Sequence, residues 1–110
     1  MVRATRLMRR GITAFMMAER YMRSNNYARA AALYNKAARC ILWAIYTVRK
    51  RRIPSKEVSI EYLSRNSGIP KNVYEEFENS EKELRRENEL FEKENFVRNL
   101  LLYAWNRHML

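Results

Sequence analysis

The sequence predicts an all-α fold: a four- to five-helix antiparallel bundle, built on an N-terminal helical hairpin and closed by a long C-terminal helix or helix pair. Three observations carry this expectation. Gly and Pro number two each in 110 residues, too few turn formers for a sandwich or barrel of many short strands. Apolar residues recur at steps of three and four, the period of one helix face. Hydrophobic residues make up 47% of the chain, which excludes a disordered tail. A chain of this length buries about 60–70% of its unfolded surface, enough for one core and one domain, here residues 1–110.

The first helix is expected over about 4–23. Met8, Ile12, Phe15, Ala18 and Met22 form its apolar face, and Arg3, Arg6 and Arg10 lie together on another. Ser24-Asn25-Asn26 breaks the pattern, because these side chains bond nearby backbone in turns and caps. Asn26 suits the N-cap of a second helix over about 27–50. There Tyr27, Ala31, Tyr34, Ala38, Ile41, Ile45 and Val48 repeat at fours and threes. Ala dominates its first half, which permits close approach of another helix. The short link makes the pair an antiparallel hairpin, about 4–50.

A basic loop follows over 49–56, where Pro54 stops the helix and the cations suit its negative C-terminal dipole. Ser55 is placed to cap a short helix over about 56–65, with Val58, Tyr62 and Leu63 apolar. Gly68 suits the left-handed position that ends it, and Pro70 suits the first turn of the next helix. From 71 onward there is neither Gly nor Pro, which fits one long helix or two. Residues 75–94 hold nine Glu and four Lys+Arg, with Glu78/Lys82, Glu81/Arg85 and Glu89/Lys93 as favourable i,i+4 pairs. A solvated charged arm is therefore expected over about 70–94, and a core helix over about 95–109.

Charge is divided unevenly. The chain carries a formal net charge of +10. Residues 1–56 hold 14 Lys+Arg against the single acid Glu19, and residues 57–110 hold 8 against 11 Glu. Such a half-chain attracts polyanions. Sixteen of the 22 basic residues are Arg, whose planar fork matches phosphate. Arg49, Lys50, Arg51 and Arg52 are the densest cluster, able to hold successive phosphates with help from Arg3, Arg6 and Arg10. Trp43, Tyr46 and Tyr62 nearby are either core or stacking residues. The other outlets for the same charge are docking on the acidic half or on an acidic partner. Abundant Arg and Glu without Gln also fit a thermophile.

Catalytic and metal chemistry have little to work with. One His, one Cys and no Asp exclude a Ser-His-Asp triad, an internal disulfide and a Cys-based zinc site. No cofactor or metal is expected. Cys40 sits on the small-residue helix as a buried thiol. His108 is the one side chain with an ordinary pKa near neutrality. No apolar run approaches 18 residues, so no membrane span is expected. The opening MVRATRLMRRG lacks the apolar stretch of a secretory signal, so a cytoplasmic location is expected.

Ala18–Ala38, with Tyr21, Tyr27, Ala30, Tyr34 and Ala37, is similar to a single tetratricopeptide unit and to the hairpin of the microtubule-interacting-and-transport module. A longer match, NNYARAAALYNKAARCILWAIYTVRKRRIPSKEVSIEYLSRNSGIP, resembles the HEPN domain. That resemblance covers about 14–105 and implies a four- or five-helix bundle, often dimeric. Many members act on RNA in prokaryotic defence and toxin systems. Their ribonuclease motif pairs an Arg with a His a few positions on. Arg98-Asn99 stands where the Arg does, but Tyr103 occupies the His position and His108 lies ten residues past Arg98. The resemblance therefore implies a non-catalytic member, a partner of a nucleotidyltransferase or an RNA-binding module. Arg98, Tyr103 and His108 are the candidates for an altered ribonuclease site.

Three functions are thus expected in order: non-catalytic binding of RNA or DNA, including coating in a nucleoid or viral nucleoprotein; a protein-interaction module that receives a partner helix beside Tyr27, Tyr34 and the Ala-rich face; and an altered ribonuclease. A homodimer is among the expected assemblies.

Overall fold

A computed structural model describes residues 2–51, 59–71 and 87–109. Four helices stand among them: α1 (Val2–Arg23), α2 (Tyr27–Lys50), α3 (Ile60–Asn66) and α4 (Glu87–Asn106). The described residues contain no strand. None of the described helices is long and apolar enough to cross a membrane.

The turn between α1 and α2 is a Schellman motif. Asn26 N–H donates to Tyr21 C=O at 2.9 Å and Asn25 N–H to Met22 C=O at 3.1 Å. Asn25 takes the left-handed conformation, φ 59°, which Asn tolerates better than most residues. Asn26 is the N-cap of α2, although its side chain makes no capping bond. The hairpin this creates brings small residues together. Ala4, Gly11, Ala14 and Ala18 of α1 are buried, as are Ala30, Ala37, Ala38 and Ala44 of α2. Gly11 is required at this seam: a Cβ there would lie 2.5 Å from Ile41 Cγ1 and 3.2 Å from the Ala37 carbonyl oxygen. The seam rotates α1 relative to the expected apolar face. Ile12, Phe15 and Met22 are only partly buried and flank the contact line, because the closest line between two helices admits only the smallest side chains.

Helix α2 ends one residue before Arg51, which takes a left-handed conformation at φ 55°. Pro54 and Ser55 lie outside the described residues. Helix α3 begins at Ile60, where Ser59 Oγ accepts from Tyr62 N–H at 3.0 Å. Gly68 follows it at φ 78°, as its sequence position predicts.

Helix α4 runs parallel to α2 and antiparallel to α1. Tyr34 meets Glu94 and Asn35 meets Lys93, while further along Ala44 and Val48 share a pocket with His108 and Met109. Its buried face is Leu90, Lys93, Val97, Leu100 and Ala104, at steps of three and four. The core helix therefore starts before the expected boundary at 95. Lys93, expected on the solvated arm in an i,i+4 pair with Glu89, is 1% exposed, and its Nζ donates to Asn35 Oδ1 at 3.0 Å. Its position in the repeat, set by the apolar residues on either side, carries it inward. Residues 72–86, which include most of the charged arm and the pairs Glu78/Lys82 and Glu81/Arg85, lie outside the described residues.

Candidate nucleic-acid interface

Glu19, the one acid of the first half, points to α4. Its Oε1 accepts from Arg98 Nη2 at 3.1 Å, and Arg98 Nε donates to Glu94 Oε1 at 3.3 Å. Tyr34 Oη donates to Glu94 Oε2 at 3.0 Å, and the Arg98 guanidinium lies 5.1 Å from the centre of the Phe15 ring. Burial raises the Glu19 carboxyl above its ordinary value, and the neighbouring Glu94 charge adds to the rise. Burial also raises the Tyr34 phenol, followed by its bond to Glu94. The cluster ties α1, α2 and α4 together and removes the acid from the outer side of the hairpin.

On that outer side Arg3, Arg6, Arg9 and Arg10 of α1 and Lys36 of α2 are exposed. None of these five makes a salt bridge or side-chain hydrogen bond among the described residues. Between α1 and α2 runs an open groove of about 540 Å³. Arg9, Arg10 and Lys36 stand along it, with Ala14, Met17, Leu33 and Cys40 as its apolar lining. Cys40 is half-buried. Burial pushes its thiol up, while the charges of Lys36, Arg10 and Arg39 pull it down. Arg9, Arg10 and Lys36, with no carboxylate bonded to them among the described residues, form a surface suited to phosphate.

The sequence places Arg3, Arg6 and Arg10 correctly on one exposed face. It misses Arg9 and Lys36 as members of the same constellation. Antiparallel pairing of the two helices was the available clue, since it sets α1 residues near 10 beside α2 residues near 38.

The second basic cluster is at one end of the bundle. Arg49 and Lys50 are exposed on the last turn of α2 and Arg51 is its exposed left-handed cap; Arg52 lies outside the described residues. The start of α1 and the end of α4 share this end, where Ala4, Thr5, Arg107 and His108 line a pocket of about 310 Å³. A Cβ on Gly68 would lie 2.6 Å from Arg49 Nη1 and 3.1 Å from Tyr103 Oη, so the Gly allows α3 to close against both. Of the aromatic trio, Tyr46 is buried and stands 6.1 Å from the exposed Tyr62 ring. Trp43 is half-buried.

The ribonuclease candidates are dispersed. Arg98 is engaged with Glu19 and Glu94. Tyr103 Oη donates to the Ser67 carbonyl at 3.0 Å, while Arg107 lies over its ring at 4.5 Å. His108 sits beyond the helix in a left-handed turn, φ 58°, more than two helical turns past Arg98. No metal-binding group of three or more His, Cys, Asp or Glu occurs among the described residues. The Ala-rich face expected to receive a partner helix is covered by α1, and Tyr34 is 0% exposed.

Comparison of the chain with protein-family models, with curated proteins and with solved structures gives no match.

Proposed function

We propose that this protein binds nucleic acid without cleaving it, holding backbone phosphates on the outer face of the α1–α2 hairpin. The observation that carries this reading is the groove where Arg9, Arg10 and Lys36 stand together on a face from which Glu19 has been withdrawn. Guanidinium and ammonium groups there bond phosphate oxygens and release condensed counterions, so affinity falls steeply with salt. Contacts of this kind position a polymer and carry little sequence information. The resemblance to HEPN domains agrees with an RNA-facing role, and the lack of a His at its motif position agrees with binding rather than cleavage. The test is fluorescence anisotropy with labelled RNA and DNA at about 50 and about 200 mM salt. Charge reversal by Arg9→Glu/Arg10→Glu is expected to weaken binding at least tenfold. Unchanged binding by that variant would show that the polymer sits elsewhere.

A second reading rests on α4, where Phe91, Leu102 and Trp105 are 49%, 58% and 65% exposed. Trp105 is about one turn beyond Leu102, and Phe91 about three turns before it, so the three share one face. Such a row suits a protein contact, including a homodimer. Light scattering on Leu102→Glu/Trp105→Glu against the parent chain tests it; an identical mass for both argues against a dimer through this face.

A further inference from the structure

We infer that the α1–α2 groove takes single-stranded nucleic acid, seating an unstacked base on its apolar lining while the cations along it hold the flanking phosphates. This rests on the proposed binding function and names its substrate class. Two features of the groove carry it. Its charged side chains, Arg9, Arg10 and Lys36, stand beside apolar ones rather than forming an unbroken cationic sheet. Met17 is 42% exposed there, with half-buried Leu33 and Cys40 from the facing helix. A duplex presents phosphates outward and keeps its bases stacked inside, so it can satisfy the cations while leaving this lining in water. A single strand satisfies both, because an unpaired base turns its flat face to the thioether and the leucine as its phosphates reach the guanidinium groups. Methionine sulfur packs favourably against aromatic rings and adapts to their shape. The groove, about 540 Å³, falls within the size range of pockets that enclose small organic groups.

The first test uses the unaltered full chain and three probes of about 16 nucleotides: a single strand, the same sequence as a duplex, and a single strand whose bases are replaced by abasic sites. Expected is tighter binding of the base-bearing strand, about three- to tenfold over the abasic one, with the duplex also weaker. Equal affinity for base-bearing and abasic strands overturns the inference and leaves phosphate binding intact. A complete lack of binding to all three at low salt overturns the phosphate-binding reading as well.

A second test uses Met17→Ala/Leu33→Ala, with circular dichroism confirming the fold. Its affinity for the base-bearing strand should fall about three- to tenfold, with affinity for the abasic strand unchanged. A uniform drop on both probes, or no drop on either, overturns the base-seating role. Arg9→Glu/Arg10→Glu should weaken all three probes, which separates failure of the cationic contact from failure of the apolar one.

Discussion

Arg98 on α4 bonds Glu19 on α1 across 79 residues of sequence, Nη2 to Oε1 at 3.1 Å. This pair decides where the first half's negative charge is spent. Position 19 lies on the side of α1 that meets α4, so its carboxylate is held at the seam by Arg98. The opposite edge of α1, next to Lys36 and Cys40, keeps its arginines without an acid among the described residues.

Burial at this seam also makes stability depend on pH, against the Arg98 charge, which favours the ionised carboxylate. Burial and Glu94 raise the Glu19 carboxyl in the folded state. The folded chain therefore binds this proton more tightly than the unfolded chain. The resulting contribution is fully present below the unfolded value and is lost as pH rises through the folded one. Relative to Glu19→Gln, the parent protein should gain thermal stability as pH falls from 7 toward 5. Melting curves of both at the two pH values check this, and a difference that does not change with pH would contradict it.

Gly11 should be intolerant of substitution. Gly11→Ala gains about 1 kcal/mol of helix propensity, but its methyl group falls 2.5 Å from Ile41 Cγ1, and overpacking of this kind costs about 1–3 kcal/mol. A net fall in melting temperature of several degrees is expected by calorimetry. A rise would mean that the two helices separate at little cost.

Tyr103 separates a structural role from a catalytic one. Tyr103→Phe removes the bond to the Ser67 carbonyl and should cost about 1 kcal/mol. Incubation with labelled RNA should give the same cleavage background for the parent chain, Tyr103→Phe and His108→Ala. Disappearance of a specific cleavage product in either variant would restore the altered ribonuclease reading.

The two basic regions should differ in weight. Replacing Arg9, Arg10 and Lys36 with Ala should reduce the salt slope of single-strand binding by about 2, at about 0.7 for each phosphate no longer neutralised. The corresponding change at Arg49, Lys50 and Arg51 should reduce it less, since these side chains stand at the bundle end, outside the groove. Slopes from titrations over a salt series check this. A larger effect from the α2 end would move the interface there.

Much of the local structure was legible because it depends on nearest neighbours. The steps of three and four in 4–50 and the Asn-rich break at 24–26 specify two helices and the turn between them. Gly68 marks a left-handed stop through its freedom from Cβ clashes. Arg3, Arg6 and Arg10 share an exposed face for the same reason, since helical period alone sets their spacing.

Tertiary packing decided the rest. Lys93 is drawn inside because Leu90, Val97 and Leu100 set the register of α4 against α2, and Asn35 supplies the acceptor its ammonium requires. Arg98 is committed to Glu19 and Glu94, and Tyr103 to the Ser67 carbonyl, through the parallel placement of α4 beside α2. The groove itself joins Arg9 and Arg10 to Lys36, some 26 positions apart. Sequence period gives each helix its faces, but the face that meets water, a neighbour or a groove depends on how closely the small residues around Gly11 let α1 approach α2.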